Sequence, residues 1–157
     1  MILQPALDTA EAIRASLEAE VELARGERLL IRNIDVAGLH ARAERRAEFN
    51  QRTADLQLRL ASDLRAASDH LGLPEVTLTG LEAHLPLEGR ALGRAFADIR
   101  ALATALHELD AMNLALGQRA LSYVRAHLAV LCPRPISYNR RGTSPTDHRS
   151  STHVRVV

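Results

Sequence analysis

The residues of this chain that could bind a metal or act as a catalytic acid or base are chiefly its seven histidines. A dinuclear metal site in a helical bundle needs Glu-x-x-His pairs on two facing helices, together with two further glutamates. No Glu-x-x-His occurs in this sequence. His40 and Glu44 stand one helical turn apart and could share a ligand, but a single pair on a charged face is common by chance. The sequence therefore predicts no metal site and no cofactor.

Histidine phosphotransfer is the main alternative function that would involve a reaction. The modules that carry it out are helical bundles, the fold class predicted below for this chain. Such a module needs an exposed histidine with a small residue and a basic residue close to it on the same helix. His70 is followed by Leu71 and Gly72, where a helix is expected to end. His107 is followed by two acids, Glu108 and Asp110. Neither histidine matches the pattern well, and the alternative stays open.

The single cysteine, Cys132, stands directly before Pro133 and lacks the neighbouring His and acid of a nucleophile. One cysteine cannot form an internal disulfide, which is typical of a protein in a reducing compartment. There is no glycine-rich phosphate loop after a strand and no Ser–His–Asp or Cys–His arrangement. We therefore predict that the chain is not an enzyme and acts by binding other proteins.

Charge is unevenly distributed along the chain, although the net charge is only +1. Every basic residue is arginine; residues 132–157 contain five of them and one acid, whereas residues 1–131 contain fifteen against eighteen acids. A basic tail without lysine and with a single interleaved aromatic, Tyr138, does not favour nucleic acid as a partner. No apolar stretch approaches the length of a membrane span, and the N-terminus lacks a signal pattern. We expect a cytoplasmic protein that does not insert into membranes.

The elements that must position any site are predicted to be helices. The chain is rich in Ala, Leu, Arg and Glu, has only 3% aromatic residues and shows helical periodicity. We predict an all-α, elongated, antiparallel up-and-down bundle of three long helices with a short connecting helix, coiled-coil-like packing and a flexible C-terminal tail. The predicted helices cover residues 8–32, 35–71, 80–85 and 87–131, which form one domain, and residues 132–157 form the basic tail.

Capping signals set the predicted helix ends. Asp8 and Thr79 each precede a glutamate by three residues, which is the capping-box pattern of a helix start. Asp35 is the predicted cap of the second long helix, and Gly72 its predicted stop.

The charged residues around Arg42 in the second long helix are expected to form a solvated face. The glutamates of the first helix, Glu20 among them, are expected to lie mostly outside its apolar stripe.

The long final helix carries two apolar rows. The first recurs at steps of three and four and includes Leu102, Leu106, Leu109 and then Asn113, a polar residue where leucine is expected. We interpret Asn113 as a buried amide that fixes helix register, with partner contact as the alternative. The second row begins past Asn113 and is offset by one position: Leu114, Gly117, Leu121, Val124, Leu128 and Leu131. This apolar surface is broader than one seam needs, so it is either ordinary core or a site for a foreign helix.

Three segments resemble the FlgN-type flagellar export chaperones. The segment ERLLIRNIDVAGLHARAERRAEF (27–49) is similar to that family's Glu-x-x-Leu, Asp-x-x-x-Leu and charged helix. The leucine-rich segment 108–131 stands where the family has an asparagine pair and a long helix, and ISYNRRG (136–142) resembles its Tyr-x-x-x-Gly after the last helix. Asp110 and Leu114 depart from the usual Asn-x-x-Asn-Gly, which leaves Asn113 as the matched residue.

The resemblance implies a chaperone for the hook-associated proteins of the hook–filament junction. Such chaperones hold the C-terminal helices of these clients, prevent their premature association and deliver them to the cytoplasmic domain of the flagellar type III export gate. The resemblance places the client along the second apolar row and gate docking at Tyr138. Besides the phosphotransfer module, a structural coiled-coil adapter that self-associates without a client stays open.

Overall fold

A computed structural model describes residues 1–131 of the chain, and all of their regular structure is helical. The four helices are α1 (Gln4–Arg32), α2 (Val36–Leu71), α3 (Leu78–His84) and α4 (Pro86–Leu131). The prediction of an all-α bundle with three long helices and a short connecting one is confirmed. Contacts within the chain group Met1–Leu121 into one unit and the residues from Ser122 onward into a second.

Helix α1 begins at Gln4, four residues before the predicted start. Asp8 is not its cap: it lies inside the helix and accepts a hydrogen bond from the Gln4 side-chain amide at 2.8 Å. The backbone N–H of Leu3, which precedes the helix, instead donates to Glu88 at 2.8 Å. Pro5 also suits the first turn, where its missing N–H removes no helical hydrogen bond. The start of α1 thus depends on a carboxylate far away in the sequence.

Residues in the connections between helices cap the ends of α2 and α3. Asp35 accepts a hydrogen bond from the Gly38 backbone N–H at 2.9 Å and so caps α2. Helix α2 ends at Leu71, and its C-cap is Gly72, whose φ of 66° is the left-handed conformation that glycine adopts without strain. Helix α3 is capped by Thr77, which accepts from Gly80 N–H at 3.1 Å, and not by Thr79 as predicted. Helix α3 therefore starts two residues earlier than expected.

Cross-helix contacts give the helix directions within Met1–Leu121. Thr9 donates to Asp63 at 2.9 Å, and Glu20 pairs with Arg46. Because residue numbers rise along α1 as they fall along α2, these two helices are antiparallel. Helix α4 runs parallel to α1, since its start lies near the start of α1 and Asn113 bonds to the Ala24 carbonyl. This up-down-up arrangement places α4 beside both of the other long helices.

The core of this unit consists of two apolar clusters in sequence along the bundle. The first surrounds the start of α1 and joins it to α2, α3 and the first turns of α4; its buried members are Leu3, Ala6, Ala10, Ala67, Leu81 and Leu92. The second joins the middle of α1 to α4, with Ile13, Leu17, Val21, Ala24, Leu106 and Leu109 buried. Both clusters include apolar residues of α1 that recur at steps of three and four, which is the spacing of one face of a helix.

Candidate partner-binding groove

An apolar groove of about 450 Å³ lies among α1, α2 and α4 of the first unit. We call it the apolar groove. It is lined by Glu27, Ile31, Leu39, Asp110, Asn113, Leu114, Gly117, Gln118 and Leu121. Its position follows from the helix lengths: Asn113 lies beside Ala24, and α1 ends at Arg32, about two turns further on. The groove therefore forms where α1 turns into α2 and α4 continues.

Three of the six predicted client-binding residues line this groove: Leu114, Gly117 and Leu121. Leu114 is 64% exposed and Leu121 is also exposed, so the unit's own helices leave these leucines largely uncovered. A Cβ added at Gly117 would meet nothing within 4 Å, which means that the groove floor is open there. Adjacent exposed leucines beside a concave surface are the pattern of a helix-binding groove.

The other three predicted residues belong to the second unit, within its described residues 122–131. Leu128 and Leu131 are exposed, and Val124 is half-buried. In the same stretch the rings of Tyr123 and His127 lie 4.2 Å apart between centroids. The structure thus brings Leu114, Gly117 and Leu121 together at the apolar groove. The other three residues belong to the second unit. Tyr138, the predicted gate-docking residue, lies outside the described residues, as does Cys132.

A cluster of five charged side chains lies next to the apolar groove. Arg42 and Arg46 both pair with Glu20, the Arg46 contact being 2.6 Å. Arg46 also pairs with Asp110, and the Arg42 Nε stands 3.5 Å from Glu27. The cluster links α1, α2 and α4, so it is a tertiary feature of the bundle and not a surface ladder along one helix.

The predicted exposure of Arg42 and Glu20 is wrong. Arg42 is 4% exposed and Glu20 is 2% exposed, because each faces the other across the α1–α2 interface. The spacing contained the signal: Glu20 lies three residues after Leu17 and four before Ala24, on the core stripe of α1. A charged residue at a core position of an apolar stripe indicates that a partner of opposite charge is buried beside it.

Arg46 remains a cation within the cluster. Burial acts to lower the pKa of its guanidinium, but the hydrogen bond to Glu20 and the attraction of Asp110 outweigh burial, so the pKa is raised above its ordinary value. The guanidinium also lies over the Phe49 ring, 5.4 Å from its centroid. The raised pKa keeps the Arg46 guanidinium positively charged beside Glu20 and Asp110.

Asn113 is 5% exposed and bridges two helices. Its side-chain amide donates to the Ala24 carbonyl oxygen at 2.8 Å, a contact that exists only when α1 and α4 are in this register. Among residues 1–131, its side-chain oxygen has no hydrogen-bond partner. The amide contact supports the interpretation of Asn113 as a register-fixing residue, and the free oxygen leaves partner contact open beside it.

A second, smaller pocket of about 300 Å³ adjoins the apolar groove. We call it the polar pocket; its lining is Glu27, Leu39, Arg42, Ala43, Arg46 and Asp110. The two cavities share Glu27, Leu39 and Asp110. Within residues 1–131, five buried side-chain atoms lack a hydrogen-bond partner, and three of them belong to residues that line these cavities: Arg42 Nε, Arg42 Nη1 and Asn113 Oδ1.

The histidines do not assemble a reactive site in the described part of the chain. His40 Nε2 lies 3.7 Å from Glu44 Oε1, with both side chains mostly exposed. Across residues 1–131 no three His, Cys, Asp or Glu side chains come together in a way that could hold a metal ion. None of the helices in that range has the length and apolar character needed to cross a membrane. His70 and His107 are exposed on separate helices.

Comparison with family models identifies the chain's relatives. The model described as FlgN protein matches residues 1–146, which is most of the chain. The chain belongs to the FlgN family. Members of this family are flagellar export chaperones that bind hook-associated proteins, and the family is not one of enzymes. Neither the curated proteins nor the solved structures include a significant match to the chain.

The FlgN assignment confirms the family resemblance drawn from the sequence. The family match includes residues 1–121, which form the apolar groove, and also Tyr138. The apolar groove is thus a feature of the FlgN part of the chain.

Proposed function

We propose that this FlgN protein is a cytoplasmic chaperone whose apolar groove holds the C-terminal amphipathic helices of the hook–filament junction proteins. Bound there, the client helix is kept from premature association, and the complex delivers it to the cytoplasmic domain of the flagellar export gate. The observation that carries the proposal is the uncovered pair Leu114 and Leu121 beside the concave surface at Gly117. The chaperone acts by binding alone and without chemistry.

An amphipathic helix fits the character of the groove. The α4 side presents leucines and a glycine, while Ile31 and Leu39 face them from α1 and α2. A client helix laid there would bury its own apolar stripe and that of the groove together, which is the driving force of helix-in-groove recognition. The second unit has predicted client residues of its own, Val124, Leu128 and Leu131, and we propose that a client contacts them as well.

Replacing Leu114 with aspartate should weaken client binding about tenfold, because a carboxylate in the occupied groove would lose its hydration. The matched control is Leu58→Asp, since Leu58 is also an exposed leucine, 73% exposed on α2, and does not line the groove. Titration calorimetry with a C-terminal peptide of a junction protein measures both affinities and the heat-capacity change, which should be negative. Equal losses in the two variants, or no binding by the unaltered chain, would contradict the proposal.

We propose Tyr138 as the gate-docking residue, on the likeness of residues 136–142 to the family pattern. Tyr138→Ala should then weaken binding to the cytoplasmic domain of the export gate about tenfold, because aromatic anchors often dominate an interface. Binding of the client peptide should change less than twofold. Surface plasmon resonance with each partner immobilised in turn separates the two effects, and Tyr123→Ala serves as a control tyrosine. Parallel loss of both activities would argue against a separate docking residue.

A further inference from the structure

The charged residues that line the apolar groove are both acidic. Among residues 1–131, Glu27 on α1 and Asp110 on α4 line it together with uncharged residues. Both carboxylates are open to water, with side-chain exposures of 25% for Glu27 and 39% for Asp110. Arg42 and Arg46 line the neighbouring polar pocket and are not part of the groove lining. A molecule that lies in the apolar groove therefore meets accessible negative charge.

The arginines of the cluster of five charged side chains do not balance its carboxylates. Two guanidinium groups face three carboxylates, so the cluster has a net charge of −1. Glu20 is almost fully buried and contacts both arginines. Glu27 reaches Arg42 only at 3.5 Å, and Asp110 shares Arg46 with Glu20. The excess negative charge thus lies on the two carboxylates that line the apolar groove.

Asp110 stands at the start of the exposed apolar row of α4. It precedes Leu114 by four residues, Gly117 by seven and Leu121 by eleven, so these residues share one face of the helix. A helix that covers Leu114 and Leu121 with its apolar stripe reaches Asp110 about 6 Å further along. The client residue opposite Asp110 is then three or four positions from the one that covers Leu114.

The chemistry of the client residue opposite Asp110 decides how well the helix fits. An apolar side chain there would remove the carboxylate from water without giving it a new partner, which is costly. A carboxylate would add a negative charge beside a cluster that already has an excess of them. The charged head of an arginine or lysine pairs with the carboxylate, while its methylene stem covers apolar surface. The groove is thus complementary in charge to a basic residue.

We infer that the client helix has an arginine or lysine at the end of its apolar stripe, and that this cation pairs with Asp110. The inference rests on the proposed function, because it places the client helix in the apolar groove. It adds a basis for selectivity: helices of equal apolar area are distinguished by the charge at this position. Asp110 is then a specificity-determining residue, and the carboxylate of Glu27 adds to the attraction.

The test is a thermodynamic cycle with the full-length chain and C-terminal peptides of junction proteins. Each Arg or Lys of a binding peptide is replaced in turn by Gln, which keeps a long polar side chain and removes the charge. In calorimetry at about 0.05 M salt, where screening is weak, one replacement should weaken binding to the unaltered chain about fivefold. The same replacement should have less than a twofold effect on the Asp110→Asn variant.

Asp98→Asn is the matched control for this cycle. Asp98 is an exposed carboxylate on the same helix and does not line the apolar groove. The fivefold effect of the peptide replacement should persist in this variant. Circular dichroism of both variants verifies that they are folded, and Glu20 still pairs with Arg46 when Asp110 is neutral.

A second measurement uses the unaltered chain and so does not depend on the folding of a variant. The basic residue found by the cycle, or each basic residue in turn, is made lysine, and the complex is treated with a carbodiimide. This reagent joins an amine directly to a carboxylate that it contacts. Mass spectrometry of the digested product should find the client lysine joined to Asp110.

Three results would overturn the inference: every Gln peptide binds within twofold of its parent, the loss is as large in Asp110→Asn as in the unaltered chain, or cross-links join only other carboxylates. A peptide that loses affinity for Leu114→Asp but not on loss of its own charges would leave the proposed function standing without this inference. Failure of every peptide to bind would overturn the proposed function and the inference together.

Discussion

Glu20→Gln should lower the free energy of unfolding by about 3–5 kcal/mol, which is the cost of removing one partner from a buried charge pair. Glu20 is the carboxylate that both Arg42 and Arg46 contact, and it is nearly inaccessible to water. Glutamine keeps the size of the side chain and removes only the charge. Arg42 would then keep only the 3.5 Å approach to Glu27 to compensate its buried charge.

Glu22→Gln is the matched control for this prediction. Glu22 lies on the same helix and also pairs with an arginine, Arg25, but both side chains are well exposed. Its replacement should change stability by less than about 1 kcal/mol, as is usual for an exposed ion pair. Urea unfolding followed by circular dichroism measures both variants. A Glu20→Gln variant as stable as the control would show that the buried cluster does not depend on its central carboxylate.

Gly89→Ala should destabilise the protein by about 3 kcal/mol, at the upper end of the range for overpacking. An added Cβ would stand 2.7 Å from the Glu82 Cα and 2.8 Å from the Glu82 backbone nitrogen. A flexible side chain could move aside, but these are backbone atoms of α3, so α3 and the first turns of α4 would have to separate. Leu81 and Leu92, both fully buried beside this contact, would lose packing as a result.

Gly26→Ala is the opposite case and serves as the control. Gly26 lies inside α1, and a Cβ there would meet nothing within 4 Å. Alanine should therefore raise stability by about 0.5–1 kcal/mol through its higher helix propensity. Thermal unfolding of the two variants under identical conditions should move the midpoint in opposite directions. A Gly89→Ala protein that unfolds no earlier than the unaltered chain would refute the close approach of α3 to α4.

The cluster of five charged side chains and the apolar groove share residues. Asp110 pairs with Arg46 on one side and lines the groove on the other, and Glu27 lies at the border of both cavities. The ion pairs hold α1, α2 and α4 together at the point where the groove begins. This arrangement lets the groove leave leucines uncovered, because the neighbouring helices are held by contacts that do not use those leucines.

The periodicity of the sequence determined much of the fold and the position of the exposed apolar row on α4. The stripe of α1 and the steps of three and four along α4 predict long amphipathic helices, and Asp35 and Gly72 mark two helix ends by local chemistry. The offset row beginning at Leu114 predicted a surface wider than one seam. These features can be predicted from the sequence because each depends on residues that lie within a few positions of one another in the chain.

Only the tertiary structure decided which polar residues are buried and where α1 begins. The start of α1 depends on Glu88, which meets Leu3 from 85 positions away in the sequence. The burial of Glu20 and Arg42 depends on α1 facing α2 in one rotation and register. Local sequence determines a helix and its apolar stripe. In contrast, the free-energy cost of burying a charge or an unpaired backbone N–H depends on the atoms that the folded chain brings beside it.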